Sequence, residues 1–309
     1  MLQIRGLDQG VEVFKALGSD VRMRIVEMLA EKHEMNLNEI ASGLGLTNGA
    51  VTAHIRKLEE CGIIKVTAAH TGRGVQKICT LGVDQILLDT APASEENKAM
   101  VYETQIRIGH YSDYSVRSSC GLAGPQAMIG TENDPRSFAY PERVDADLLW
   151  FHDGYVEYRI PNLLPDKHYI VQLTISFEIA SADCGMPEDT MSRVHFSLNG
   201  VSLGDWTADR VQDHSRGIYT PKWWNRRERQ HGFLKMLVIN QNGVYRDGEK
   251  VEEVTPGWKF LDESGQMKLR MESHPADGYN SGIALFGSSF GNYQQNIEVR
   301  VHYMPGPRA

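Results

Sequence analysis

LNEIASGLGLTNGAVTAHIRKLEECGII, residues 37–64, decides the fold of the first part of the chain. Leu37, Ile40, Ala41 and Leu44 recur at the three- and four-residue spacing of a single helix face. Asn36, with Glu39 three positions on, makes a capping-box start for that short helix. Gly43 and Gly45 supply a sharp turn, and Thr47 then stands where a second helix needs an N-cap. Val51, Ile55 and Leu58 form the inward stripe of this second helix. Gly62 is its expected stop, because glycine takes the left-handed conformation of a helix end without a Cβ penalty.

Working outward, SDVRMRIVEMLAEK (residues 19–32) places Val21, Ile25, Met28 and Leu29 at helical spacing, with Ser19 as N-cap. On the other side, IIKVTAAHTGRGVQKICTL (residues 63–81) reads as two β-branched runs around His70-Thr71-Gly72-Arg73-Gly74, whose glycines suit a tight hairpin. Helix, short helix, glycine turn, helix and basic hairpin in this order define a winged helix-turn-helix.

With Val51, Ile55 and Leu58 inward, the last helix presents Asn48, Gly49, Thr52, Ala53 and Arg56 on its opposite, N-terminal face. Asn and Arg can pair bidentately with adenine and guanine edges, and Thr and Ala can meet a thymine methyl, so this face suits the major groove of duplex DNA. His54, Lys57, Lys65, Lys77 and the hairpin's Arg73 are expected at phosphates or the minor groove, where affinity and salt dependence are set. The alternative is a small helical bundle for protein contacts with a merely solvated polar face.

KALGSDVRMRIVEMLA (residues 15–30) together with residues 37–64 resembles the ArsR family of winged-helix repressors over roughly residues 8–82. The stretch that carries the likeness is Ala50-Val51-Thr52-Ala53-His54-Ile55, followed by Gly62-Ile63-Ile64. The resemblance implies a homodimer that binds a palindromic operator and represses until an effector releases it. Metal-sensing members of that family carry a Cys-x-Cys type motif on the helix before the reader. Here that helix is LNEIASGL, with no thiol, and His54 has no ligand partners nearby in sequence, so neither metal nor cofactor is expected.

The remaining sequence needs its own explanation. At 309 residues the chain is about twice a typical ~150-residue domain. Domains are expected at 1–90 and 100–309, with APASEENKA (91–99) as linker. Hydrophobic content of 41% and charged content of 23% mark a globular protein. The net charge of −8 falls mostly in the second part, since residues 1–90 are nearly balanced. No apolar run reaches the ~18 residues of a membrane span, and no basic-then-apolar leader opens the sequence, so a cytoplasmic protein is expected. Cys61, Cys79, Cys120 and Cys184 lie far apart in no ligand spacing and read as packed thiols.

Beyond residue 99 strand patterns take over: MVYETQIRI, YVEYRIPN, HYIVQLTISFEIA, RVHFSLNGVSL, FLKMLVIN, MKLRME and QNIEVRVHY. They predict an antiparallel, jelly-roll-like β-sandwich, giving an α+β multidomain chain. The run from Tyr155 to Ser181, followed by RVHFSLNGVSLGDW, is similar to galactose-binding-like and carbohydrate-binding jelly rolls.

DHSRGIYTPKWWNRRERQ (residues 213–230) has poor strand pattern and gathers Asp213, Arg216, Tyr219, Trp223 and Trp224, a composition fitting a sugar pocket. Two glycine-rich stretches add candidates: residues 109–125, with Tyr111 and Asp113, and residues 282–296, with Asn292 and Tyr293. The tryptophans serve equally well as loop anchors. Carboxylates such as Glu178 and Asp205 leave an enzymatic reading open, but no nucleophile, metal or nucleotide motif supports it. Three readings stand: a regulator with a sugar-like effector, a regulator whose β domain dimerises or recruits a partner, and a regulator with a sugar-processing domain.

Overall fold

The computed structural model describes residues 2–5, 7–71, 74–83, 86–89, 99–181, 192–208, 215–225, 229–252, 260–262, 264–274 and 282–306. The chain divides into two compact units, Met1–Lys98 and Ala99–Ala309. No described helix is long and apolar enough to cross a membrane.

The first unit runs β1 (Leu2–Arg5), α1 (Leu7–Leu17), α2 (Asp20–Lys32), β2 (Glu34–Asn36), α3 (Leu37–Leu44), α4 (Asn48–Glu60), β3 (Ile64–Thr71), β4 (Gly74–Leu81) and β5 (Ile86–Asp89). Ile25, Leu29, Ile40, Val51, Leu58 and Cys79 are fully buried in one core. Asn36 caps α3 with a complete capping box: its side chain accepts from Glu39 N at 3.0 Å, and Glu39 accepts from Asn36 N at 2.8 Å. Gly45 ends α3 at φ 65°, and Thr47 accepts from Ala50 N to start α4. The end of α4 is a Schellman closure, with Ile63 N donating to Leu58 O at 3.0 Å and Gly62 N to Glu59 O at 2.9 Å.

Ser19 occupies the N-cap position of α2 without a side-chain capping bond. Arg22, nearly buried, does related work at the junction, donating to Ala16 O and, at 2.6 Å, to Lys15 O. Two carbonyls orphaned at the end of α1 are thereby satisfied. The hairpin pairs β3 with β4 from Ile64↔Leu81 to Thr71↔Gly74, and β2 adds to the far edge of β4. β1 and β5 form a separate parallel pair.

The second unit contains β6 (Met100–Ile106), β7 (Asp113–Ala123), β8 (Met128–Ile129), β9 (Leu148–Ile160), β10 (His168–Ala180), β11 (Ser192–Leu198), β12 (Val201–Ala208), β13 (Phe233–Asn240), β14 (Gly243–Arg246), β15 (Glu249–Glu252), β16 (Met267–Ser273), β17 (Ile283–Phe286) and β18 (Ile297–Pro305). Every described pairing among them is antiparallel. One layer runs β12-β11-β16-β9-β7-β8 and the other β15-β14-β13-β10-β18-β6, with β17 pairing to both β9 and β10 and closing the sheet nearly into a barrel. Val156 and Tyr158 (β9), Phe196 (β11), Leu269 and Met271 (β16) meet Leu173, Ile175 and Phe177 (β10), Leu237 (β13) and Val299 (β18) in a shared core. The Phe177 and Phe196 rings lie 5.5 Å apart across it.

RVHFSLNGVSL is two strands: Asn199 (φ 51°) and Gly200 (φ 77°) form the two-residue turn between β11 and β12. Residues 109–125, expected as a loop, contain the eleven-residue strand β7, with an irregularity between Arg117 and Cys120. Gly121 lies where a Cβ would overlap the Trp150 indole.

The cap of α3 gives a direct stability test. Asn36→Ala is expected to cost about 1 kcal/mol of unfolding free energy in denaturant titration, while Asn36→Ser, which keeps a capping oxygen, costs less than half as much.

Candidate nucleic-acid interface and loops of the second unit

On α4, Val51, Ile55 and Leu58 are 0%, 4% and 0% exposed. Asn48, Gly49, Thr52, Ala53, Arg56 and Lys57 all face solvent, and His54 is half-buried. Asn48 Nδ2 donates to Asn38 Oδ1 at 2.7 Å, which ties the first turn of α4 to α3. Thr52 Oγ1 donates back to Asn48 O at 2.7 Å, so its methyl is turned by a defined rotamer. Arg56 pairs with Glu60 at 2.8 Å through two exposed side chains, a contact worth little in water and readily exchanged for a base or phosphate. Gly49 has nothing within 4 Å of a built Cβ, so close backbone approach is open there. Lys77 is exposed on β4, whereas Arg73 lies outside the described residues.

The thiols offer little metal chemistry. Burial, with a further push from the Glu59 carboxylate, raises Cys79 to about 11, and Cys61 is raised by burial and then by Glu12 and Glu60. Cys120 is buried, and Cys184 lies outside the described residues. Among the described residues no group of His, Cys, Asp and Glu is arranged to hold a metal ion.

In the second unit, several sequence candidates converge at one end of the sandwich around Glu178, a fully buried carboxylate on β10. Glu178 accepts from Gly232 N at 2.7 Å and from Asn292 N and Tyr293 N at 3.0 Å. Asn292 Oδ1 in turn accepts from Ile218 N at 3.1 Å, and Tyr219 N donates to Gly291 O at 2.9 Å. Arg216 donates to Pro221 O within the same loop. The two loops are therefore laced together through backbone groups.

Trp224 is 7% exposed, donates to Arg229 O at 3.1 Å and packs edge-on against Trp150 and Phe290. It anchors the loop. Trp223, 39% exposed, is held by a 2.7 Å bond from its indole nitrogen to Pro125 O, and Tyr219, four residues earlier, is 37% exposed.

Tyr111 does not join this cluster. It is 1% exposed, its hydroxyl donates to Phe138 O at 2.7 Å, and Arg143 lies 4.4 Å over its ring, so it is a packing residue. Burial pushes its phenol well above the ordinary range. Asp113 begins β7 at the end opposite Ala123 and accepts from Tyr155 OH at 3.0 Å. Asp213 lies outside the described residues.

A polar face that sequence reading missed lies on the outer side of β12, β11, β16 and β9. It encloses two adjoining hollows of about 350 and 200 Å3 that share His195 and Glu272. Each lining residue is merely the outward member of an alternating strand, and RVHFS, MKLRMES and YVEYR, read together, carried the only signal.

Residues 17–67 match the family model described as a helix-turn-helix domain. With the hairpin of β3 and β4, the first unit is a winged helix-turn-helix of the kind that binds DNA in transcription regulators. Similar solved structures include the transcriptional regulator homologue protein from Pyrococcus horikoshii OT3, 28% identical with a TM-score of 0.21. That match covers 22% of this chain and 66% of that one, just under two thirds of its length. Another is a homodimeric winged helix-turn-helix DNA-binding domain from Mycobacterium bovis, a possible ArsR-family transcriptional regulator. It is 27% identical with a TM-score of 0.22, over 25% of this chain and 67% of that one. A Clostridium perfringens ZmpB structure of an M60 catalytic domain with two CBM51 domains is 10% identical with a TM-score of 0.27, over 77% of this chain and 18% of that one, and assigns nothing to the second unit. No curated protein matches the chain.

Gly291 has φ 81°, and a Cβ there would overlap the Glu178 carboxylate. Gly291→Ala is therefore expected to destabilise the second unit by about 1–3 kcal/mol in thermal or chemical melts, with the first unit unaffected.

Proposed function

We propose that this chain is a DNA-binding transcription regulator that works as a homodimer, represses at a palindromic operator, and carries in its second unit a sensor for a carbohydrate or related polar ligand. The observation that carries the DNA reading is the display face of α4. Amide, hydroxyl, small and cationic side chains form one exposed sweep, while the three apolar residues between them are buried. Those residue types at the start of a reader helix are the ones that recognise base edges, and Lys57 and Lys77 would engage phosphates.

The dimer reading is supported by α1, where Leu7, Val11 and Phe14 stand 56%, 42% and 42% exposed at positions four and three apart. A second copy of the same helix would cover such a stripe. The ligand reading is supported by the exposed Tyr219 and Trp223 at the loop end beside Asn292, since aromatic faces pack on sugar CH groups while amides bond hydroxyls. Effector binding would act by changing the relative placement of the two reader helices in the dimer.

Fluorescence anisotropy with cognate duplex DNA tests the reader. Arg56→Ala and Thr52→Ala are each expected to weaken binding by about 1–3 kcal/mol with unchanged circular dichroism. Lys57→Ala is expected to weaken all sequences alike and to lower the salt slope by about 1. Unchanged affinity in all three variants contradicts this face as the reader.

A further inference from the structure

We infer that the outer face of β11, β16 and β9 is a second, separate binding groove, built for a neutral polyhydroxylated ligand such as a short oligosaccharide. The register fixes its floor. Asp205, His195, Glu272 and Tyr155 form one transverse row, and Ser197, Arg270, Glu157 and Asp113 form the next. Strand spacing of about 4.8 Å and a rise of about 3.3 Å per residue make this patch some 10 Å wide and 13 Å long between β11 and β9.

The chemistry of the lining selects the ligand class. Arg193, Lys268 and Arg270 face the carboxylates of Asp205, Glu157 and Glu272, with Asp113 in the floor and Asp262 3.0 Å from Lys268, so the face carries no excess of cations. A phosphate-rich or nucleic-acid ligand requires an excess of cations, and an apolar ligand would leave the mainly polar lining of the larger hollow unpaired. Alternating donors and acceptors at short range instead match vicinal hydroxyls, each of which both donates and accepts.

The groups are held in place before any ligand arrives. Asp205 Oδ1 bonds His195 Nδ1 at 2.6 Å while its other oxygen takes the Arg193 guanidinium. Burial alone would raise the Asp205 carboxyl, but the bonds from His195 and Arg193 outweigh it and hold the group below the usual carboxylate range. Asp153 Oδ1 pins His274 Nδ1 in the same way at 2.6 Å, with Nε2 3.9 Å from Glu272. Both imidazoles are thus oriented through Nδ1, with His274 Nε2 turned toward the Glu272 carboxylate. Both bonds from Arg270 fall on Glu157 Oε2, and the guanidinium stacks 4.0 Å over Tyr155. Side chains fixed by mutual pairing lose little further freedom on binding, which favours a weakly hydrophobic ligand.

Titration calorimetry of the full chain against neutral mono- and oligosaccharides, with the matching sugar phosphates and uronates, tests the assignment. A neutral sugar is expected to bind, and Glu272→Gln and Arg270→Met each to weaken it about tenfold. Tighter binding of the charged counterparts overturns the proposal, as does the absence of binding by every neutral sugar. Binding lost only in Trp223→Ala places the sugar at the loop end instead, supporting the loop-end ligand reading while overturning the groove.

Discussion

Three side chains on α4 fix what the first unit can do. Val51, Ile55 and Leu58 are buried at spacings of four and three, and helix geometry then leaves no choice about which residues turn outward. Asn48, Thr52, Ala53 and Arg56 are exposed because their neighbours are not. The caps serve the same end. Thr47 starts α4 immediately after the Gly45 turn, and the Schellman closure at Gly62 directs the chain into β3, so α4 and the hairpin are held to one small core.

The second unit is organised around a different constraint. A sandwich closed through β17 has loops gathered at its ends, and a buried carboxylate needs partners wherever it falls. Glu178 finds them in backbone N–H groups from two loops that are distant in sequence, which holds those loops in one geometry. The result is an aromatic loop end at one place and a charge-balanced strand face at another, two surfaces with unlike chemistry on one scaffold.

Legibility in the sequence followed how local each signal was. The capping box at Asn36 and Glu39 and the stop at Gly62 are set by neighbours within four residues, and each was readable directly. Helix α1 was not, because Leu7, Val11 and Phe14 add an exposed apolar stripe to the buried Val13 and Ala16 and blur the period. Strand β7 has the sequence of a loop because Ser115, Arg117 and Ser119 dominate it and the irregularity before Cys120 shifts the alternation. Tyr111 looked available in a polar glycine-rich stretch, yet Phe138 and Arg143, some thirty residues away, enclose it. The strand-face groove is hard to read for a related reason, since its lining comes from residues 157 to 274 and only cross-strand register assembles it.

The central claim is that the first unit reads DNA as part of a dimer, and selection from a random duplex library by the full-length chain tests it most directly. The account predicts enrichment of an inverted repeat whose half-sites are centred about one helical turn, roughly 10 base pairs, apart. A selected pool indistinguishable from the starting library, or one enriched only in single unrepeated sites, would contradict it.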